Sequence, residues 1–370
     1  MGLESLPKTM KAIQVVEFKK PYKINEVPVP TDLGPSDLLV KVAVASNCHT
    51  DSMVQHGVFG CPLPQTASHE GSGTVVAVGG EEASKRGFKE GDRVMVGIPL
   101  HPCGRCGDCL GPENQTQYCG NVEGMVGVHI DGCFAEYVKC DSRTTTKLPD
   151  QVSFLSAAPL ACAGRTVWRA VLQTGLKKGE WLAIVGSGGG LGHLGVQFAK
   201  ALGLQVIGVD ARDEGLELTT KYGADVVVDA RKGKEAVVKE VQAVTNGQGA
   251  DATVNLSDHQ TAAGLACAIT KMHGDVIQIA QPDNIEIPFP EIIFRDIRVR
   301  GSLICSQGES DEMMKCIAEH GVSATVVPFE GLDKIGELTE KVHGGKIKGK
   351  AAIIIDQKQI DEEKKLGARY

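Results

Sequence analysis

A chain of 370 residues is longer than one ordinary domain, so two domains are expected. Its 39 Lys and Arg stand against 46 Asp and Glu, a formal charge of −7, and no basic block or aromatic-interleaved patch occurs, which excludes nucleic acid as the main partner. No apolar run approaches membrane-spanning length and the opening MGLESLPKTM lacks the apolar core of a secretory signal, so a cytoplasmic protein acting on small molecules, with no membrane partner, is expected.

In chain order, residues 10–16 and 39–45 read as strands, the second with Val40, Val42 and Val44 on one face under strict alternation. Residues 71–78, 93–96 and 133–138 are further short apolar runs bounded by turn residues, and together they predict a partly closed, β-rich domain. Most of the chemistry-bearing residues fall in this half. Twelve cysteines would suggest disulfides in a short secreted domain, but in a long chain without a signal they predict metal ligation. Cys103, Cys106 and Cys109 are each separated by two residues, and Cys119 follows after nine more in a polar loop. Four thiolates close a tetrahedral zinc shell and leave no room for water, so this site is read as structural. The lack of basic neighbours argues against a DNA-reading zinc finger. Cys48 in N-C-H-T-D, His69 and Glu70 in H-E-G-S-G, and Cys162 in A-P-L-A-C-A-G-R-T form a second set, each member of which has an ordinary reading as core or cap when taken alone.

After Pro159 the pattern changes. Residues 181–185 read as a buried strand, 186–192 as the turn G-S-G-G-G-L-G, 191–202 as a helix, and 206–209 as a strand ending at Asp210. Strand-like runs recur at 226–228, 252–255 and 276–279 with helical segments between, the alternation of a doubly wound parallel sheet. Gly186, Gly188, Gly189, Gly190 and Leu191 let backbone amides approach a pyrophosphate at the helix N-terminus. Asp210, about twenty residues on, accepts from ribose hydroxyls and repels a 2′-phosphate, which favours NAD(H) over NADP. Arg212 weighs the other way, since a guanidinium pairs with such a phosphate. A helix at 311–320 and a strand at 351–355 are returned to the first domain, giving 1–163 with 305–370 against 164–304. The tail from Gln357 is read as a solvated face or frayed end.

The runs C-H-T-D at Cys48 to Asp51, H-E-G-S-G at His69 to Gly73, the Cys103 to Cys119 cluster, C-A-G-R-T at Cys162 to Thr166, G-S-G-G-G-L-G and G-K-I-K-G-K at Gly345 to Lys350 span nearly the whole chain. On them the chain resembles the zinc-containing medium-chain alcohol dehydrogenases, most closely their fungal, yeast-like tetrameric branch. The resemblance implies an α/β fold with a GroES-like β-rich catalytic domain and a Rossmann domain, two Zn2+ per subunit, NAD(H), an alcohol or aldehyde substrate, and a homo-tetramer or homo-dimer. It implies that Cys48, His69 and Cys162 bind the catalytic zinc, with the fourth position open to water or substrate. Two thiolates and an imidazole suit zinc and leave it Lewis acidity enough to activate an alcohol for hydride transfer to nicotinamide. By the same resemblance Thr50 accepts the alcohol proton, Asp51 orients the ligand histidine, Glu70 approaches the metal during ligand exchange, and His49 and Lys350 face the cofactor pyrophosphate.

Departures matter as much. Met53 stands where the yeast-like branch has its relay histidine and cannot titrate, which leaves His49, His56 or solvent to take the proton. Phe59 replaces a pocket tryptophan and the region of Leu100 lacks another, which predicts a roomier pocket for bulky or aromatic primary alcohols. The loop before Cys119 is longer than in the family. Two competing functions are a zinc-free reductase of the same superfamily acting on quinones or enones, which would keep the glycine turn and Asp210 without the metal ligands, and a non-catalytic NAD(H)- or redox-sensing protein. Thr50 beside Cys48 favours an enzyme.

Overall fold

The computed structural model describes residues 3–345 and 347–369; Lys346, inside the G-K-I-K-G-K run, lies outside them. The described residues form two compact units, one made by the chain up to Cys162 together with the chain from Cys305, the other by Ala163–Ile304.

In the first unit β-branched alternation produces a long strand, Asp37–Asn47, that is buried on both faces because sheet neighbours flank it and the core covers it. Glu70–Val78, Tyr137–Asp141 and Lys350–Ile354 all pair antiparallel to it, in a seven-stranded sheet that also holds Arg93–Met95, Thr146–Lys147 and Val326–Glu330. Val42 pairs with Gly73, where only glycine fits: a Cβ there would stand 2.0 Å from the Lys41 carbonyl oxygen. Ile13, Leu38, Val40, Val42, Val94, Val96, Phe134 and Ile353 fill the core of this GroES-like domain. Each fully buried aliphatic side chain of this kind contributes about 1.5–3 kcal/mol. A two-stranded pairing of Pro99–Leu100 with Gly124–Met125 closes the base of the loop that carries Cys103 to Cys119.

The second unit is a Rossmann domain. Its six parallel strands lie in the order Val226–Asp229, Gln205–Asp210, Trp181–Val185, Ala250–Asn255, Thr270–Gln278, Arg298–Gly301, so the strand sequence reverses direction at Trp181–Val185. That reversal opens the crevice beyond the strand ends where dinucleotides bind in such sheets. The edge strand Arg298–Gly301 escapes sequence reading because R-V-R-G is mostly exposed and carries no apolar run.

The tail corrects an expectation. Gln357–Lys364 is a helix with Gln359, Ile360 and Glu363 buried, not a frayed solvated end, because Glu363 pairs with the distant Arg93. No described helix is long and apolar enough to cross a membrane.

Candidate active site

Cys48 sits at the end of the long strand, as the residue before the helix His49–Gln55. Asp51, in the first turn of that helix, is fully buried and accepts from the Cys48 N–H at 2.7 Å and from the Ser68 N–H at 3.1 Å. One carboxylate thus ties together the two chain segments that carry Cys48 and His69. Ser68 donates its hydroxyl to the Ser46 carbonyl at 2.8 Å and adopts a left-handed φ of 69°, which turns His69 inward. Cys162 projects from the wide turn Leu160–Gly164, a π-type step between the helices Phe154–Pro159 and Arg165–Gln173.

The ligand-capable atoms of Cys48, His69, Glu70 and Cys162 all lie within 4.8 Å of one another. His69 is 2% exposed, and neither ring nitrogen completes a hydrogen bond; Nδ1 is 3.7 Å from Asp51. A buried imidazole nitrogen without a partner costs about 1–3 kcal/mol unless something occupies it. The thiols share the same corner. The Cys162 thiol against Cys48, with Lys350 nearby, holds Cys48 well below the usual thiol range, and that same contact, with burial, pushes Cys162 up. Burial alone would lower His69, but Asp51 and the Cys48 sulfur hold it well above its ordinary value. Two sulfurs and an imidazole nitrogen gathered in one buried corner form a donor set that zinc takes.

Glu70 is fully buried, pushed up to about 7 by burial despite the Lys350 ammonium 2.8 Å away, and it also accepts from the Ser46 hydroxyl. Lys350, at 5% exposure, has its Nζ held by both Glu70 oxygens. His49 is exposed at the helix start. Thr50 places its hydroxyl 3.8 Å from the Cys48 sulfur. Phe59 packs against Val15, Val54, Cys61 and Val128 and lies edge-on to His129, with centroids 6.2 Å apart. Leu100, expected near the substrate pocket, is 2% exposed and belongs to the core cluster of the first unit.

Cys103, Cys106, Cys109 and Cys119 also lie within 4.8 Å of one another, and none is in a disulfide. Backbone N–H groups of Arg105 and Cys106 bring Cys103 down to about 6, while burial pushes Cys109 up to about 12. The Cys103 N–H points at the Cys119 sulfur at 3.3 Å. Leu110 and Tyr118 of this loop are exposed, so apolar packing does little to hold it.

In the second unit a cavity of about 1170 Å³ lies over the glycine turn and the ends of the strands. Gly186, at φ +82°, and Gly189 line it, and a Cβ on Gly189 would stand 3.3 Å from the Gly186 carbonyl oxygen, so the turn is tight as well as open to the cavity. Gly188 differs from expectation: it is buried against Gly215, whose carbonyl oxygen would stand 1.9 Å from a Cβ, and its N–H is already given to Asp210 at 2.9 Å. Its glycine is required for packing and cannot offer an amide to phosphate. Gly190 and Leu191 are half-buried and lead into the helix Gly192–Ala201. Asp210 lines the cavity with Arg212, whose Nε is 3.5 Å from the carboxylate. Arg231, Lys234 and Ser257 line it too, and sequence reading passed over them. Their one signal is position, just beyond the ends of the strands Val226–Asp229 and Ala250–Asn255.

A GroES-like barrel followed by a Rossmann sheet with this glycine turn defines the medium-chain dehydrogenase class. Residues 34–150 match the alcohol dehydrogenase GroES-like domain and residues 190–319 the zinc-binding dehydrogenase family. An alcohol dehydrogenase of Geobacillus stearothermophilus is 34% identical across 94% of this chain and 100% of its own length. Alcohol dehydrogenase 1 of Emericella nidulans is 32% identical across 94% of this chain and 98% of its own. The crystal structure of the alcohol dehydrogenase from the archaeon Aeropyrum pernix superposes with a TM-score of 0.84 at 32% identity, covering 93% of this chain and 99% of that one. The chain belongs to the zinc-type medium-chain alcohol dehydrogenase family. The expected fungal, yeast-like branch is not supported, since bacterial and archaeal relatives stand as near as the fungal one.

Proposed function

We propose that this protein is a zinc-dependent, NAD(H)-using alcohol dehydrogenase that interconverts primary alcohols and aldehydes, bulky or aromatic ones included. The observation that carries the reading is the buried corner where Cys48, His69 and Cys162 converge, with neither imidazole nitrogen completing a hydrogen bond. Those three residues would hold the catalytic zinc and Cys103, Cys106, Cys109 and Cys119 a structural one, two per subunit. Bound there, zinc supplies the Lewis acidity that makes an alcohol give up its proton, and the dinucleotide supplies the hydride acceptor.

The chain's own residues do the rest. Thr50, beside Cys48, takes the alcohol proton. Asp51 fixes the segments of Cys48 and His69 from behind, and Glu70 with Lys350 keeps the charge of the corner balanced. Met53, one turn along the helix, cannot carry a proton onward, so His49, His56 or water receives it. Asp210 at the cavity wall favours NAD, and the reading that bulky substrates are accepted rests on Phe59 standing in place of a larger ring. Ile285, Phe289, Ile293 and Phe294 are exposed just before the edge strand Arg298–Gly301, which supports a homo-oligomer built on that face. None of the twelve cysteines is in a disulfide, in keeping with a reducing, cytoplasmic setting.

The test is an absorbance assay for NADH with ethanol and benzyl alcohol, run with NAD and with NADP, before and after metal removal. Metal-dependent turnover with NAD, benzyl alcohol at least equal to ethanol, is expected. Turnover that survives both chelation and Cys48→Ser would overturn the reading, and a strong preference for ethanol would overturn its substrate part.

A further inference from the structure

The three segments that bring Cys48, His69 and Cys162 together converge a second time, at the far end of the first unit, on the last helix, Gln357–Lys364. Glu363 is 1% exposed and accepts the Phe154 N–H with both carboxylate oxygens, at 2.9 and 2.8 Å. Phe154 opens the helix that runs into the turn holding Cys162, so this is a carboxylate on the free amide of that helix's first turn. Arg93 completes the arrangement. Its guanidinium pairs with Glu363, stands 4.6 Å over the Phe154 ring, and donates to the carbonyls of Val152 at 2.6 Å and Pro149 at 3.2 Å.

The same helix reaches the other two segments. Gln359 accepts from the Thr74 hydroxyl at 2.6 Å, on the strand that begins directly after His69, and donates to the Lys41 carbonyl at 3.2 Å, on the strand that ends directly before Cys48. Asp356, its N-cap, pairs with the Lys41 ammonium at 2.5 Å. Beyond the helix, the Arg369 N–H donates to the Gln151 carbonyl at 3.0 Å and forms a bridge alongside Val152. The segment leading to Cys162 is therefore gripped at Gln151 and at Phe154 by one stretch of chain. Ser72, two residues beyond Glu70, adds a direct tie by donating its hydroxyl to the Phe154 carbonyl at 2.7 Å.

From this we infer that the segment from Asp356 to Arg369 is a clasp that sets the mutual placement of the three ligand-bearing segments, with Glu363 as its positioning residue for Cys162. The inference rests on the metal-site reading above. A metal shell tolerates ligand displacements of only about 0.5 Å, so whatever fixes the three segments controls how firmly the ion is held. The Cys103 to Cys119 loop has its four sulfurs on one local stretch and does not depend on the clasp.

The test uses the full chain, a chain stopped after Asp356, and Glu363→Gln and Glu363→Ala, each loaded with zinc and exposed to a chelator and a thiol alkylator. Alkylation is read peptide by peptide, Cys48 and Cys162 against Cys103 and Cys109 in the same sample. The shortened chain and Glu363→Ala should label Cys48 and Cys162 about tenfold faster or more, with Glu363→Gln between them and the full chain, and Cys103 and Cys109 unchanged. Equal rates in all four proteins, or acceleration of all four cysteines together, would overturn the clasp. If the shortened chain does not fold, the two Glu363 variants, checked by circular dichroism, decide the matter. If zinc fails to protect Cys48 and Cys162 even in the full chain, the metal-site reading falls and the clasp falls with it.

Discussion

The two cysteine-bearing clusters both gather their ligand-capable atoms within 4.8 Å, by opposite routes. Cys103, Cys106, Cys109 and Cys119 come from one short loop with exposed Leu110 and Tyr118, so on the proposed reading a bound metal would organise the backbone that presents them. Cys48, His69 and Cys162 come from three elements that the barrel has already fixed, with Asp51, Glu70 and Lys350 packed behind them. On that reading the first cluster would organise its segment, whereas the second is placed by the fold around it. Metal binding should therefore read out as local stability in one and as reactivity in the other.

The sharpest break of that contrast is Cys162→Ser. It should lower turnover by about a thousandfold or more while the unfolding midpoint moves little, and a variant that keeps activity would sink the assignment of the scaffolded cluster. Asp51→Asn comes next. It should weaken metal retention at this cluster by about ten- to a hundredfold, measured by chelator competition, and leave the loop cluster untouched. Cys106→Ser should do the reverse: protease cleavage within 103–119 rises sharply, the unfolding midpoint drops by on the order of 10 °C, and turnover of the surviving enzyme falls by about threefold or less. Loss of activity equal to that of Cys162→Ser would show that the two clusters are not separate in function. The smallest effect is expected from Met53→His, which restores a group titrating near neutrality beside Thr50 and should raise alcohol oxidation near pH 7 by about two- to threefold. An unchanged pH profile would remove Met53 from the proton path.

Local patterns were legible and distant partnerships were not. The loop cluster could be read because its four cysteines sit in one stretch, and the parallel sheet could be read because strand, glycine turn and helix alternate with the right periods. Asp51 was reached through the resemblance that the C-H-T-D run carries. The partners of Lys350 and Leu100 were not legible, because a side chain's neighbour across a sheet leaves no trace in local sequence: Lys350 pairs with Glu70, and Leu100 packs in the core. Gly188 misled for a related reason, since glycine serves packing against Gly215 as well as approach to phosphate, and both uses look alike in a chain. The last helix reads as polar and charged, and only Arg93, far off in sequence, explains why Glu363 is buried.

The corner around Asp210 has a consequence for how easily this enzyme's redox currency could change. The N–H groups of Gly188, Ala211 and Arg212 all converge on one carboxylate, at 2.9, 2.9 and 3.0 Å. Trim that side chain to serine, and three donors are left aimed at a vacated spot with a guanidinium alongside, which is the makings of an oxyanion seat. If Asp210 turns away a phosphorylated ribose as proposed, one substitution would convert that wall into one that welcomes it, and the ratio of kcat/KM for the two dinucleotides in Asp210→Ser would show how far the barrier had been held up by one residue.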